Sequence, residues 1–382
     1  MRIALFSECY RPIVNGVVVS VSTFATELQK LGHEVHIVAP SYPGHGQEPN
    51  VHRIPSICPP SNPRYPLAIP YTSHRLKRLF RESPPDIIHA QHPFSCGREG
   101  RRWARRLGCP FVFTYHTLIH AYAHYVPLPN VLVRAAAVRI SRSFSNSADW
   151  VVVPTRSVER LLRSYGVRSP IEVIPTGIDL ALIEETTRVP RRAELGISLG
   201  VALIAYSGRI AKEKNLETAI QALAIASDRG ADAHLVLVGG GPWEDDCRRE
   251  AERNGVSERL HITGYVEREV VFDWLAEADV FCFPSLTDTQ GVAVLEAMAL
   301  GCSPVAVSSG AIEDVIRDGV DGFIVEPTAE ALADKLTTVL EDADLRQRLA
   351  GQARARAEEF SAARMAERLV GVYEKAMKVG AV

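Results

Sequence analysis

Two acidic residues, Asp288 and Glu296, lie within Thr287-Asp-Thr-Gln-Gly-Val-Ala-Val-Leu-Glu-Ala-Met-Ala-Leu-Gly301. Asp288 falls in a polar loop, and Glu296 falls about one and a half turns into a strongly apolar helix. A carboxylate in such surroundings is costly unless something binds it. Paired ribose hydroxyls would do so, and so would a structural arginine. Asp288 would accept hydrogen bonds from sugar hydroxyls. Thr289, Gln290, Gly291 and Val292 open the helix, where N–H groups without intrahelical partners face a phosphate.

A second group is cationic. In Tyr206-Ser-Gly-Arg-Ile-Ala-Lys-Glu-Lys-Asn215, Arg209 and Lys214 follow an apolar run and would converge on one anion. A guanidinium fork and an ammonium suit a diphosphate whose leaving charge must be stabilised without a metal. The plain alternative is a solvated basic loop, and Lys212 reads as the solvated member.

A third group is Pro110-Phe-Val-Phe-Thr-Tyr-His-Thr117, a buried strand that delivers His116 to its end. His116 is either a substrate contact or a capped structural histidine. His120 and His124 follow at helical spacing, but no H-E-x-x-H glutamate or nearby carboxylate completes a zinc site, so no metal is expected. Near the N-terminus, Asn15-Gly16 turns the chain into a helix, and Gly16 would let a backbone N–H approach a phosphate. Read alone, it is equally an ordinary loop. Gly239-Gly-Gly-Pro242 and Ile262-Thr-Gly-Tyr-Val266 are weak nucleotide signals, with Tyr265 and Val266 placed beside a planar ring.

The elements that position these groups alternate along the whole chain. Apolar runs such as Arg2–Phe6, Glu34–Val38, Pro110–Tyr115 and Trp150–Val153 are separated by helix-like segments including Val17–Lys30, Thr72–Arg81, Gly97–Arg106 and Asn130–Phe144. A charged, irregular stretch over Pro175–Leu199 follows. The pattern then restarts with strands at Val201–Tyr206, His234–Val238, Val280–Phe283 and Pro304–Val307, and helices including Leu216–Ser227, Val270–Ala276 and Val292–Leu300. Strands alternating with helices mean parallel sheets, and two successive sets mean two doubly wound α/β domains. Ligands bind such sheets at the carboxyl ends of their strands.

Composition agrees. The 382 residues are 46% hydrophobic and 23% charged, as in a globular protein of two domains. Seven scattered cysteines show no C-x-x-C spacing, and neither a signal peptide nor a membrane span is legible, so a reducing, cytoplasmic setting is expected. The net charge of −2 hides an asymmetry: residues 1–178 carry 21 Lys and Arg against 10 Asp and Glu, and the rest carry 22 against 35. A basic half fits an anionic membrane surface or a nucleic acid, or is simple drift in surface charge. No recognition helix or aromatic RNA motif supports a nucleic acid. A nicotinamide-dependent dehydrogenase would need G-x-G-x-x-G after a strand, which is missing.

Taken together and in this order, Gly16, His116, the Gly208–Lys214 G-R-x4-K segment and the E-x7-E-type segment Asp288–Glu296 resemble the family-four retaining glycosyltransferases of the GT-B fold. The resemblance spans essentially the whole chain and is supported by Val173–Asp179, Gly239–Pro242 and Ala278–Val280. It implies two Rossmann-like domains facing each other across a cleft: an acceptor domain over 1–178, a nucleotide-sugar domain over 179–360, and a helix over 361–382 packing back on the first. It further implies that Arg209 and Lys214 grip the donor diphosphate with Gly16 closing over it. Glu296 would hold the ribose, Asp288 the transferred hexose, His116 the sugar, and Tyr265-Val266 backbone the base. Front-face attack, with the leaving phosphate as base, would need neither protein nucleophile nor cofactor.

Asp288 departs from the family's usual Glu, reaching one methylene less, which bears on the donor sugar. Within the family the chain looks most like diacylglycerol glucosyltransferases and sulfolipid synthases, through Pro12–Val17, Arg64–Pro70, His92-Pro-Phe94 with Gly97 and Gly100, Thr114–Thr117 and Thr287–Gly291. That branch implies UDP-glucose as donor, a lipid acceptor, and peripheral binding at the inner face of the cell membrane. Arg75, Lys77, Arg78, Arg81, Arg101, Arg102, Arg105 and Arg106 would face anionic lipid, with Arg134, Arg139 and Arg142. GDP-mannose-dependent mannosyltransferases of inositol lipids, a soluble small-molecule acceptor, and a non-catalytic sugar-nucleotide sensor are the alternatives.

Overall fold

The structure, a computed structural model, describes residues 1–13, 15–43, 46, 48–58, 66–69, 74–119, 129–186 and 188–380. His120, His124, Arg64, Tyr65, Pro70, the expected helix start at Thr72 and Val14 of the Pro12–Val17 segment lie outside the described residues. The chain forms two compact units, 1–177 with 362–382, and 178–361.

In chain order the first unit contains β1 (Arg2–Phe6), α1 (Gly16–Lys30), β2 (Glu34–Pro40), β3 (Val51–Ile54), β4 (Ser56–Ile57), β5 (Leu67–Ala68), α2 (His74–Glu82), β6 (Ile87–Ala90), α3 (Ser95–Leu107), β7 (Phe111–Thr114), α4 (Asn130–Ser145), β8 (Trp150–Val153), α5 (Arg156–Ser164) and β9 (Ile171–Val173). The second contains α6 (Leu180–Glu185), β10 (Ala202–Ser207), α7 (Leu216–Asp228), β11 (Ala233–Val238), α8 (Glu244–Arg253), β12 (Leu260–Ile262), α9 (Arg268–Glu277), β13 (Val280–Phe283), α10 (Val292–Ala299), β14 (Pro304–Val307), β15 (Phe323–Val325), α11 (Ala329–Glu341) and α12 (Ala343–Glu358). The last helix, α13 (Ala362–Gly380), belongs to the first unit.

The first unit is built on a parallel sheet in the order β3-β2-β1-β6-β7-β8-β9. Its central strands are apolar on both faces because both are covered. One face buries Ala4, Phe6, Ile88, Phe113 and Val151 against Phe80, Trp103 and Phe144. The other buries Ile3, Leu5, Ile87, Val112 and Val152 against Val18, Val21 and Leu28 of α1 and Met365, Leu369, Val372 and Tyr373 of α13. The C-terminal helix is therefore a structural layer of the first unit. Beneath it His89, 2% exposed, is hydrogen-bonded through Nδ1 to the Tyr373 hydroxyl at 2.8 Å and through Nε2 to Thr114 Oγ1 at 2.7 Å.

The second unit has a parallel sheet in the order β12-β11-β10-β13-β14-β15 around its own core. In both sheets the strand order reverses once beside the first strand, between β1 and β6 and between β10 and β13. That is where a doubly wound sheet opens a crevice for ligands.

The chain passes between units one residue from the expected boundaries. Ile178 and Ser361 pair in a parallel bridge and the Ile178 N–H donates to Phe360 O at 2.9 Å, so both residues stay with the second unit. Three short strands, β3, β4 and β5, and the single-turn-and-a-half α6 were not expected. In β3 only the two end residues are buried, too few to show a period. Helix α6 sits in the stretch that reads as irregular, started by Asp179, whose Oδ1 accepts from the Leu182 N–H at 3.0 Å.

Burial holds His89 neutral, with its pKa lowered to about 3. The unfolded chain, with a histidine pKa of about 6.5, binds the proton first, so this contribution is whole above that pH and is lost on acidification towards 3. The urea midpoint should therefore be lower at pH 5 than at pH 7. At pH 7, Tyr373→Phe should cost about 1–2 kcal/mol by leaving a buried ring nitrogen without its partner, read in the same urea titration.

Candidate active site

In the second unit β10 runs parallel to β13, with Ile204 and Ala205 opposite Val280 and Phe281. Their carboxyl ends therefore release two loops side by side, and three contacts join those loops. Lys214 Nζ donates to both oxygens of Asp288, at 2.8 and 2.9 Å. Asn215 Nδ2 donates to Pro284 O at 3.2 Å, and Thr287 Oγ1 to Glu213 O at 3.3 Å. Both members of the Lys214–Asp288 pair are largely buried, at 16% and 22% side-chain exposure.

Arg209 does not join Lys214 on one group here. Its side chain is 46% exposed and its Nη1 is 3.9 Å from the Glu213 carboxylate. Each cation of the expected diphosphate clamp thus faces a carboxylate of its own. Lys212, expected to be solvated, is exposed, with its Nζ 5.6 Å from the centre of the Trp243 ring.

The neighbouring loop after β11 packs backbone to backbone. Gly208 N–H donates to Val238 O at 3.1 Å and Ile210 N–H to Gly240 O at 3.0 Å. Gly239 has φ +142, and a Cβ there would stand 2.1 Å from Gly208 O, so only glycine permits this approach. Tyr265, 61% exposed, sets its ring against Gly240, and Val266 follows it beside the core.

Helix α10 begins with Gly291 in the left-handed region at φ +79. As the N-cap, Gly291 offers no side chain to close this end, and the first turn holds no acidic residue, so the positive end of the helix dipole is not offset by a carboxylate of its own first turn. Thr289 and Gln290 lead into it, Gln290 at 3% exposure. Glu296 is 9% exposed on this apolar helix, and its Oε1 accepts from Arg268 Nη2 at 2.6 Å. The structure thereby supplies the arginine partner that the residue type alone left open. Arg268 was missed: it is 28 positions away, at the first residue of α9, and no local pattern connects the two.

The first unit gathers histidines and a glutamate at its own switch point. His116, two residues beyond β7, has Nε2 2.7 Å from Gln91 Oε1, and its ring centre is 6.5 Å from that of His92. Burial, then the neighbouring His92 and His89, hold His116 well below the usual histidine range. Burial lowers His92 to about 4. The Glu8 N–H donates to His92 Nδ1 at 3.3 Å. The Glu8 carboxylate accepts from Cys96 N–H at 2.5 Å and Ser95 Oγ at 2.8 Å, capping the start of α3. Burial raises its pKa against the pull of those bonds. Gly16 is the first residue of α1, and Asn15 Oδ1 accepts from Val18 N–H at 2.9 Å. A Cβ at Gly16 would meet nothing within 4 Å.

Among the basic residues, Lys77, Arg102, Arg105 and Arg106 are exposed. Arg78 is exposed and paired with Glu82 at 2.9 Å. Arg101 is turned inward instead, its Nη1 3.2 Å from Ser147 Oγ and its guanidinium 5.3 Å from the centre of the Phe144 ring. Its pKa is lowered by burial and by Arg105 and Arg98. Arg75 lies in α2, with its side chain outside the described residues. Among the described residues no helix is long and apolar enough to cross a membrane.

The family model described as Glycosyltransferase Family 4 matches residues 14–182, and that described as Glycosyl transferases group 1 matches residues 189–356. An alpha-monoglucosyldiacylglycerol synthase of Streptococcus pneumoniae is 32% identical over 332 residues, which cover 85% of this chain and 75% of the relative. A GDP-mannose-dependent alpha-mannosyltransferase of Mycolicibacterium smegmatis is 29% identical over 338 residues, covering 85% and 86%. A sucrose-phosphate synthase from Thermosynechococcus elongatus shares the fold, with a TM-score of 0.80 at 21% identity over 99% of both chains.

Two glycine substitutions separate what the fold requires from what it tolerates. Gly239→Ala should cost about 2–3 kcal/mol through backbone strain and the clash with Gly208. Gly16→Ala should stay within about 0.5 kcal/mol of the parent. Urea denaturation of the two variants checks both.

Proposed function

Since the chain belongs to the family-four glycosyltransferases of the GT-B fold, we propose that it moves glucose from UDP-glucose onto a lipid acceptor such as diacylglycerol. The transfer retains the anomeric configuration, needs no metal ion and takes place at an anionic membrane surface. The observation that carries the donor half is the joined pair of loops after β10 and β13. They bring Lys214, Asp288 and the glycine-led start of α10 together, with Arg209 on the same loop as Lys214.

As the bond from the sugar's anomeric carbon to the diphosphate breaks, negative charge gathers on the leaving oxygen. Arg209, Lys214 and the N–H groups at Val292 supply the compensating positive charge, and such fixed donors are worth most where charge develops. The acceptor hydroxyl attacks from the face the diphosphate leaves, and its proton passes to the departing phosphate oxygen. Asp288 takes hydroxyls of the hexose and Glu296 those of the ribose. Tyr265 and Val266 border the base. In the first unit His116 and Gln91 offer neutral hydrogen-bonding groups to a sugar. With both His116 and His92 neutral at pH 7, neither adds charge to that face.

The acceptor half is supported by the similarity to the Streptococcus pneumoniae diacylglycerol enzyme. It is supported also by the exposed cations Lys77, Arg78, Arg102 and Arg105, each worth about 1 kcal/mol near an anionic bilayer. A second reading, mannose from GDP-mannose onto an inositol lipid, another glycolipid or a soluble acceptor, is favoured by the Mycolicibacterium smegmatis relative.

The test is transfer from a panel of UDP- and GDP-sugars, with and without diacylglycerol in anionic vesicles, with the product anomer read by NMR. Lipid-dependent glucosyl transfer giving the α product is expected. Transfer to soluble acceptors alone would remove the lipid assignment, and a β product the retention. Excess chelator should leave the rate intact. Lys214→Ala and Arg209→Ala should each lower kcat/KM by about 10²–10³, the usual cost of removing one charge-stabilising donor.

A further inference from the structure

Glu296 is held from outside its own helix, and the residue that holds it borders the loop carrying Tyr265. Arg268 opens α9, three residues after Tyr265. Its guanidinium carbon sits 5.3 Å from the centre of the buried Phe272 ring, and its Nη2 donates to Glu296 Oε1 at 2.6 Å. The arginine side chain is 31% exposed and the glutamate 11%. Among the described residues no other hydrogen bond is made to the Glu296 carboxylate, so Oε2 is left to accept.

We propose that Arg268 is a positioning residue for ribose recognition: it fixes the Glu296 carboxylate so that its second oxygen takes a hydroxyl of a ribonucleoside diphosphate. This rests on Glu296 being the ribose carboxylate of the donor site. A glutamate on an apolar helix has rotatable bonds and no neighbour on its own helix to fix the plane of its carboxylate. A charge-assisted bond to one oxygen sets that plane, and the packing of the guanidinium on Phe272 sets the arginine in turn. Fixing the acceptor before the ligand arrives removes an ordering cost from binding. An ion pair that served stability alone would give the same contact, but it would confer no preference for a ribose hydroxyl.

Calorimetry with UDP, GDP and their 2′-deoxy and 3′-deoxy forms on the full chain separates the two. The parent should prefer the ribonucleotide over one of the deoxy forms by about 10- to 100-fold, as for a hydrogen bond to a charged group. Glu296→Ala should bind both alike. Arg268→Met, which keeps an apolar stem over Phe272, should lose most of the preference. Arg268→Lys should recover a large part of it. Should the methionine variant fail to fold, Arg268→Gln, which keeps a neutral donor toward Oε1, gives the same comparison with an intermediate preference expected. If Glu296→Ala keeps the parent's preference, the ribose assignment itself fails, and the role of Arg268 with it. If Glu296→Ala loses the preference while Arg268→Met keeps it, the assignment stands and Arg268 is only a structural counter-ion.

Discussion

The pairing of Lys214 with both oxygens of Asp288 is the contact on which the proposed donor site depends. Parallel strands release their loops at one end of a sheet, but a shared end does not make loops converge. Here β10 and β13 are neighbours at the point where the strand order reverses, and the ammonium–carboxylate pair with its flanking Asn215 and Thr287 bonds ties the two loops together. Gly239 lets the β11 loop close against the same edge, and Gly291 lets α10 start there. A bound diphosphate would offer Lys214 a second anion, so the pair holds the cation in place without saturating its three donors.

The two units meet their polar demands differently. The second holds its site with charges in opposition: Lys214 with Asp288, Arg268 with Glu296, Arg209 near Glu213. The first uses neutral groups: His116 with Gln91, His92 with the Glu8 backbone, His89 between Tyr373 and Thr114. That division fits the chemistry proposed for them. A diphosphate calls for positive charge near it, whereas sugar hydroxyls are taken by carboxylates and by neutral donors and acceptors alike. His89 also links the first unit's sheet to α13, so the helix contributed by the end of the chain supports the layer beneath the histidines.

The doubly wound fold was legible in the sequence because its central strands are buried on both faces. Runs such as IALF, FVF and VVV in β1, β7 and β8 leave little else for the chain to be, and the helices between them carry clear apolar stripes. What escaped has a common cause. Strands β3 to β5 are short and partly exposed, and α6 is six residues long, so each is too brief to show a hydrophobic period. Within the site, Asp288, Glu296, Arg209, Lys214 and His116 stand out by residue type at strand and helix ends. Their remote pairings do not, because Arg268 and Gln91 reach Glu296 and His116 through space and no spacing rule connects them. The inward turn of Arg101 was hidden for the same reason: Ser147 and Phe144 lie on a different helix and its exit.

Whether the edge of the sheet between β10 and β13 receives a nucleoside diphosphate can be read by titrating UDP and GDP into the protein in the presence of chelator, for the parent and for Lys214→Met. One of the two nucleotides should bind the parent at micromolar concentration, and the variant, folded to the same thermal midpoint within a few degrees, should bind it at least about tenfold more weakly, as loss of a charged hydrogen bond requires. Equal binding by parent and variant, or no binding of either nucleotide at millimolar concentration, would contradict that assignment.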